Sequence, residues 1–302
     1  MNFVKSTFSI KDLENLSGIK AHTIRIWEKR YGLLEPERTD TNIRYYSLES
    51  LQKLLNVSFL NSNGYKISKI ADLDSKSFHK AVEEIIDSQT NKDDFLKNLK
   101  LAMLNYDLQL FESTYQKAIS KFSFSTVFRE YFVSFLNEIG LLWQSGSINP
   151  THEHFISNLI KQKILIEIQK LQIVEPKRTD KKFVLFLPDN EIHDIGLNFI
   201  YYEILNKGYQ AIMLGSSVPI DCLKPFVQNE DNVIFVSYFT IEPQPEHVIS
   251  YLEKFSQEVI DGSNSKLYVL GSRIVGLKDE DCRIEGVAMS HTLNDFIKKI
   301  DV

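Results

Sequence analysis

The pattern of hydrophobic and polar positions divides the chain into a helical first part and an alternating second part. Between residues 8 and 173, apolar residues recur at helical spacing and Gly or Pro residues separate the segments, which predicts a succession of amphipathic helices. From residue 183 onward, short apolar runs alternate with amphipathic segments, as in a parallel sheet with helical connections. A chain of 302 residues with both patterns is expected to form two or three domains.

The N-terminal helices are short and are followed by a polar, turn-rich segment. Ser9 caps a first helix that Gly18 breaks, and a second helix at residues 23–29 directs Ile24 and Trp27 inward. Two short helices joined at a Gly form a helix-turn-helix. The polar segment that follows favours a two-stranded wing. Two further helices are predicted, at residues 47–61 and from residue 64.

The middle of the chain predicts only helices. Residues 75–91 form a helical linker, in which Phe78, Val82, Ile85 and Ile86 keep helical spacing. Short connections between the amphipathic helices that follow argue for a four-helix bundle. Its helices are predicted at residues 92–104, 107–121, 125–143 and 150–173.

The last part predicts a doubly wound parallel sheet of the flavodoxin-like kind, entered through a polar linker at residues 175–182. The apolar run at residues 183–187 is uninterrupted, which indicates a strand buried on both faces. The chain contains neither of the glycine-rich patterns that hold dinucleotides or P-loop phosphates. Strands are predicted at residues 183–187, 210–214, 233–237 and 267–270, with a weak fifth near 286–288, and helices at 195–207, 219–228, 244–260 and 291–300. The predicted domains are residues 1–74, the linker 75–91, the bundle 92–175 and the α/β domain 181–302.

Composition and charge limit the kinds of location and partner that we expect for the protein. No apolar run approaches 18 residues and no signal peptide is visible, so we expect a cytoplasmic protein without a membrane partner. The two cysteines, Cys222 and Cys282, lack metal-type spacing and are expected to be reduced and structural. Residues 1–73 carry 11 Lys and Arg against 8 Asp and Glu, a net charge of +3, whereas the whole chain carries −5 and the remainder therefore −8. The positive N-terminal part suggests a polyanion partner.

One N-terminal string carries a specific signal. Thr-Ile-Arg-Ile-Trp-Glu-Lys-Arg-Tyr-Gly-Leu-Leu begins at Thr23, and Arg-Tyr-Tyr and Gly-Tyr-Lys-Ile follow from Arg44 and Gly64. This resembles the winged helix-turn-helix of the MerR family, which binds double-stranded operator DNA. Arg suits phosphate or guanine contacts and a Tyr hydroxyl suits phosphates. The resemblance implies DNA contacts from Thr23, Arg25 and Tyr31 on the recognition helix and from Arg38, Asn42, Arg44 and Tyr45 in the wing.

A second signal lies in the loop after the first buried strand of the α/β domain. Glu191, His193 and Gly196 have the spacing E-x-H-x-x-G, which resembles the cobalamin-binding signature of methionine synthase, the corrinoid mutases and B12-dependent regulators. The resemblance implies that His193 is the lower axial ligand of cobalt and that the nucleotide tail of the cofactor enters a slot beside the sheet. Either Glu191 or Asp194 can fix the tautomer of the imidazole, and Gly196 leaves space for the tail. The family usually has Asp at the position of Glu191, and a loop His that only caps the next helix is the alternative.

A third signal lies in the predicted bundle. Trp143 is followed after nine residues by Glu153 and His154, which resembles the cap of cobalamin-dependent MerR-type regulators, several of which sense light through adenosylcobalamin. The resemblance implies that Trp143 shields the adenosyl group and that Glu153 and His154 contact it. The alternative is a core Trp beside a solvated helical turn. A metal site of His152, Glu153 and His154 is excluded, because side chains two residues apart diverge on a helix. Gln144 stands where some light-sensing members have a His.

Two later motifs of the α/β domain depart in part from the family. Ser237 follows the family pattern at the end of the third strand, but Phe239 is bulky two residues on. Where the family has Gly-Gly beside the nucleotide tail, this chain has Gly271 and Ser272. The Ser272 side chain can narrow the slot or donate a hydrogen bond to the tail.

Together the three signals predict a transcriptional regulator, favoured as a repressor, whose operator binding is controlled by adenosylcobalamin through self-association into a dimer or tetramer. The alternative is a MerR-type regulator whose cobalamin-like domain holds no cofactor and serves oligomerisation or protein interaction. A corrinoid mutase or methyl carrier is disfavoured, because no substrate domain and no acid/base pair are evident. The expected cobalt ligand is His193, and no catalytic residue is predicted.

Overall fold

The structure is a computed structural model that describes residues 7–62, 64–74, 77–78, 80–81, 92–228, 232–277 and 283–300. The chain divides into two units, Met1–Leu159 and Ile160–Val302, which are described separately below. Most of the predicted linker helix at residues 75–91, including Val82, Ile85 and Ile86, lies outside the described residues, as does Cys282.

The N-terminal part of the first unit is a winged helix-turn-helix, as predicted. Ser9 and Asp12 form a capping box at the start of the first helix, with the Asp12 amide donating to Ser9 Oγ at 3.2 Å and the Ser9 amide to Asp12 Oδ2 at 2.8 Å. The wing has three strands rather than two, in the order β1-β3-β2, because Phe8 is fully buried and pairs with Tyr46. The elements are β1 Thr7–Ser9, α1 Ile10–Ser17, α2 Ala21–Tyr31, β2 Glu37–Arg38, β3 Arg44–Ser47, α3 Leu48–Ser62 and α4 Ile67–Ala71.

A helical bundle follows, with the predicted helices close to their predicted bounds. Its core is aromatic, with Phe132 packed against Phe95 and Phe111 at centroid distances of 5.8 and 6.4 Å. The predicted helix at 125–143 contains one wider turn, a π-helical segment at Val127–Phe132. The helices are α5 Lys92–Asn105, α6 Leu108–Ile119, α7 Phe124–Thr126, α8 Val133–Gln144 and α9 Pro150–Gln172.

The second unit contains a five-stranded parallel sheet in the order β5-β4-β6-β7-β8. Counted within the unit this is 2-1-3-4-5, the flavodoxin-like order, so the predicted fold class is confirmed. Residues 183–187 are fully buried, as the uninterrupted apolar run predicts. The elements are β4 Arg178–Phe186, α10 Ile195–Asn206, β5 Tyr209–Gly215, α11 Pro225–Gln228, β6 Val233–Tyr238, α12 Val248–Phe255, β7 Lys266–Leu270, β8 Val287–Met289 and α13 Leu293–Ile300.

Three predicted elements differ from the structure. The linker prediction for residues 175–182 was wrong in part, because β4 already begins at Arg178, whose guanidinium lies over the Tyr209 ring at 4.0 Å. The predicted helix at 219–228 is a 3-10 turn followed by the single turn α11, because Pro225 has no N–H to continue a helix. Cys222 is exposed rather than structural. Among the described residues, no helix is long and apolar enough to cross a membrane.

Candidate functional site

Helix α2 presents the predicted recognition residues on the outer side of the helix-turn-helix. Arg25 and its neighbour Ile26 are exposed, while Thr23 and Tyr31 are partly exposed. Trp27 is buried, so its predicted core position is confirmed. A helix with one buried and one basic exposed face is suited to lie in a major groove.

The wing residues divide into exposed and carboxylate-bound groups. Arg38 Nη1 donates to Asn42 Oδ1 at 2.6 Å across the turn, and Asn42 has a φ of 63°, a conformation that Asn tolerates in turns. Arg44 Nε lies 3.4 Å from Glu28 Oε2 on α2, and Tyr45 donates to a Glu37 carboxylate in β2 at 2.7 Å. Arg38 and Asn42 therefore form the exposed tip, whereas Arg44 ties the wing to α2.

The His193 loop lies at the carboxyl end of β4, the edge where such sheets bind ligands. The His193 side chain is 45% exposed, and its Nδ1 lies 2.6 Å from Glu191 Oε1. An ionised carboxylate only accepts hydrogen bonds, so Nδ1 carries the proton and the lone pair of a neutral imidazole is on Nε2. The pair therefore holds the ring in the tautomer that a metal ligand needs.

Glu191 is fully buried and joins two loops of the sheet edge. Its Oε1 also accepts the amides of Ile192 and His193, each at 2.9 Å. Its Oε2 accepts the amides of residues 240, 241 and 242 at 3.1, 2.6 and 2.9 Å. Burial acts to raise the pKa of Glu191, but the hydrogen bonds from His193 and the backbone amides outweigh burial and lower it to about 2. The carboxylate is therefore ionised at neutral pH.

Asp194 and Ser237 have other partners. The Asp194 carboxylate accepts from Lys161 Nζ at 2.6 Å, so Glu191 rather than Asp194 contacts the His193 ring. Ser237 is fully buried and donates to the Phe186 carbonyl on the neighbouring strand at 2.9 Å. The structure therefore does not bring these two side chains together with the imidazole.

Gly196 is in close contact with Tyr238 at the end of β6. A Cβ atom on Gly196 would lie only 2.7–2.9 Å from three ring carbons of Tyr238. Successive side chains of a strand point to opposite faces, and Phe239, on the other side, belongs to the hydrophobic core. The bulky residue beside Gly196 is thus Tyr238 and not Phe239.

Gly271 and Ser272 hold the loop after β6. A Cβ atom on Gly271 would lie 2.2 Å from the Phe239 carbonyl oxygen, and its φ is +113°, so only Gly fits this position. The Ser272 hydroxyl donates to the Thr240 carbonyl at 2.7 Å. The Ser272 hydroxyl therefore fixes the loop that Glu191 binds, and its predicted effect on the nucleotide tail stays a prediction.

In the first unit, the end of α8 exposes a large apolar surface. Trp143 is 53% exposed and Leu141 66% exposed, unusual for residues of this size in a bundle. Glu153 and His154 form a pair in the first turn of α9, with Oε2 2.6 Å from Nδ1. His152 is buried and stacks on Tyr106, so it does not join them.

The loop between Trp143 and Glu153 contacts the winged helix-turn-helix of the same unit. Ser147 is fully buried, donates to Asp12 Oδ1 at 3.3 Å and accepts from Asn15 Nδ2 at 3.3 Å. A second link starts on α5, where Lys100 Nζ donates to the Leu16 carbonyl at 3.3 Å and to a Glu138 carboxylate of α8 at 2.5 Å. The last turn of α1 and the helix that carries Trp143 therefore share one lysine.

Sequence reasoning missed two residues that the structure brings to these sites. Tyr238 was passed over because the family pattern names only the residues before and after it, although strand alternation alone separates it from them. Ser147 was passed over because it stands in a loop of polar residues. The sequence could have indicated Ser147 only through its position between Trp143 and Glu153.

Comparisons with known proteins agree with this geometry. Residues 8–76 match the family model of the MerR HTH family regulatory proteins, and residues 95–166, which lie in the bundle, match the model of a B12 binding domain. The structure of the Methanosarcina barkeri monomethylamine corrinoid protein has a TM-score of 0.57 and 13% identity, over 70% of this chain and 98% of that chain. That likeness shows the fold alone.

Two curated relatives are similar to this chain over most of their length. The HTH-type transcriptional repressor CarH of Myxococcus xanthus is 24% identical over 223 residues, 72% of this chain and 73% of CarH. The HTH-type transcriptional repressor CarA of the same organism is 24% identical over 250 residues, 82% of this chain and 81% of CarA. The chain therefore joins a segment that matches the MerR HTH regulatory proteins to a segment that matches a B12 binding domain, and it is similar to transcriptional repressors over most of its length.

Proposed function

We propose that the chain is a repressor whose operator binding is controlled by adenosylcobalamin, with His193 as the lower axial ligand of cobalt. The observation that carries the proposal is the Glu191–His193 pair, in which a buried, ionised carboxylate holds Nδ1 and fixes the imidazole tautomer that has its lone pair on Nε2. The match of residues 95–166 to a B12 binding domain favours this reading over a cofactor-free domain. The similarity to CarH and CarA supports repression.

The exposed apolar side chains support a flat, largely apolar ligand. Ile192 beside His193 and Ile241 in the neighbouring loop are both exposed, and Glu191 binds the amides of both residues. In the first unit, Trp143 offers an indole face to an adenosyl group, and the Glu153–His154 pair offers polar atoms. When bound, adenosylcobalamin would supply a light-sensitive cobalt–carbon bond. The chain supplies the axial imidazole, its orientation and the contacts of the upper ligand.

Two routes connect the ligand to DNA. In the first, the upper ligand decides which dimer or tetramer forms, and paired half-site contacts multiply operator affinity through effective concentration. In the second, the signal passes within the first unit, from the Trp143–Glu153 loop through Ser147 to Asp12 and Asn15 of α1. Helix α2 follows α1 directly, so a shift of this loop changes the support of the recognition helix.

The test is an absorbance spectrum of the full chain after mixing with adenosylcobalamin in the dark and desalting. We expect a retained corrin band with a His-ligated, base-off shape in the wild type and loss of that shape in His193→Ala. His247, which is exposed in the same unit, gives the matched control His247→Ala, which should behave as the wild type. Equal spectra for the wild type and His193→Ala would refute the axial assignment.

Operator affinity and the size of the protein species in solution are then measured on the same samples. With cofactor in the dark we expect a larger species by gel filtration and tighter operator binding than without cofactor, and illumination should reverse both if light is the signal. A cofactor-free protein with the same size and the same affinity would instead support the alternative, an interaction domain without cofactor.

A further inference from the structure

The contact between Gly196 and Tyr238 concerns which corrinoid the sheet accepts. Gly196 lies in the first turn of α10, where a side chain would be tolerated by the backbone. What excludes a side chain is the Tyr238 ring, because an added Cβ atom would lie 2.7–2.9 Å from three of its carbons. The ring therefore fills the space that Gly196 leaves beside the sheet.

The Tyr238 side chain is also partly buried. Burial raises the pKa of the Tyr238 hydroxyl, which is the response expected of a phenol in an apolar site. Its strand neighbours Ser237 and Phe239 are both fully buried, Ser237 bound to the Phe186 carbonyl and Phe239 packed in the core. Neither of them occupies the space beside Gly196, so Tyr238 alone of the three residues does.

We propose that Tyr238 is a specificity residue that disfavours corrinoids carrying a lower nucleotide tail. The inference rests on the proposed function, in which His193 is the axial ligand, and on the resemblance, which implies that the nucleotide tail lodges beside Gly196. The Tyr238 ring and the tail compete for one space, and a tail enters only when the partly buried ring moves further into water. A tail-less corrinoid of the cobinamide class requires no such movement, and the chain therefore binds it at least as tightly as cobalamin.

The test compares adenosylcobalamin with adenosylcobinamide, which share the upper ligand and differ in the tail. Dissociation constants for both are measured in the dark by absorbance titration on the full chain, for the wild type, Tyr238→Ala and Tyr238→Phe. We expect Tyr238→Ala to lower the ratio of the cobalamin constant to the cobinamide constant by about tenfold or more, since the ring no longer has to be exposed. Tyr238→Phe keeps the ring and should leave the ratio unchanged.

Each outcome has one meaning. If both ligands bind and Tyr238→Ala leaves the ratio unchanged, the inference is wrong while the proposed function stands. If neither ligand binds to the wild type or to any variant, the proposed function fails and the inference with it. Should Tyr238→Ala fail to fold, Tyr238→Leu retains apolar volume and is judged by the same ratio.

A second measurement examines the contact without any ligand. Gly196→Ala should lower the thermal unfolding midpoint of the wild type, because its Cβ atom meets the ring. In the Tyr238→Ala background the same change should be nearly neutral. Equal losses in both backgrounds would show that the ring does not occupy the space beside Gly196, and would overturn the inference.

Discussion

The Glu191 carboxylate allows the sharpest quantitative test, because one buried group holds two loops. Its pKa falls from 4.5 to about 2 in the folded chain, which corresponds to about 3 kcal/mol of stability at neutral pH. A depressed carboxylate pKa stabilises the folded state above the unfolded pKa and loses that contribution as pH falls through the folded pKa. The window for Glu191 is therefore between about pH 5 and pH 2.

Glu191→Gln removes the charge and replaces one acceptor oxygen by an NH₂ group. Whichever way the amide is turned, that group faces backbone N–H donors, two on one side and three on the other. We expect a loss of about 3 kcal/mol, as for a buried charged group whose partners are left unpaired. Glu246, which is exposed in the same unit, gives the control Glu246→Gln, for which no loss is expected.

Hydrogen exchange of the peptide that contains residues 240–242 is the local assay. At pH 7 these amides should exchange about 100-fold faster in Glu191→Gln than in the wild type, since each 1.4 kcal/mol is about tenfold. The unfolding midpoint of the sheet unit should fall by about 10 °C. Toward pH 2 the difference between the two proteins should close. Exchange within a few-fold of the wild type at pH 7 would show that Glu191 does not hold this loop.

Three further predictions concern the first unit. Arg25→Ala should weaken operator binding about tenfold and reduce the slope of log affinity against log salt concentration by about one. Fluorescence anisotropy at several salt concentrations measures both, and Lys121→Ala, the control, should bind as the wild type does. Ser147→Ala should retain corrin binding but reduce the effect of the cofactor on operator affinity, and an undiminished effect would exclude the route through α1. Ser9→Ala should lower the free energy of unfolding, measured by heat or urea, by about 1 kcal/mol, because the α1 capping box is lost. A change no larger than that of a Ser→Ala control at an exposed position would contradict this.

Much of the fold could be predicted because local patterns determine it. Helical spacing and the Ser9 and Gly18 signals place α1 between its two caps, and the uninterrupted run at residues 183–187 describes a strand with no exposed face. The errors have local causes as well. Pro225 should have ended the predicted helix at 219–228, and β1 is only three residues long, too short for a periodic signal.

The candidate site was harder to predict from the sequence, because a motif gives the position of a residue in the chain but not the direction in which its side chain points. The sequence drew attention to the bulky Phe239, but the alternation of side chains that begins along β6 turns Phe239 into the core and Tyr238 toward Gly196. Likewise the sequence offered Glu191 and Asp194 equally as the carboxylate that fixes the tautomer of the His193 imidazole. Only the fold shows that Lys161 engages Asp194, while three amides some 50 residues away engage Glu191.

The contacts of Glu191 explain why this chain has Glu where the cobalamin-binding signature usually has Asp. Oε1 contacts the His193 ring and Oε2 contacts the amides of the loop that Ser272 and Arg273 also bind, at 2.7 Å each. A side chain one methylene shorter cannot span both sets of donors without moving one loop toward the other. Glu191→Asp should therefore keep the charge and the contact with the imidazole, yet increase exchange of the amides at residues 240–242. If Asp protects those amides as well as Glu does, the extra methylene has no role in joining the two loops.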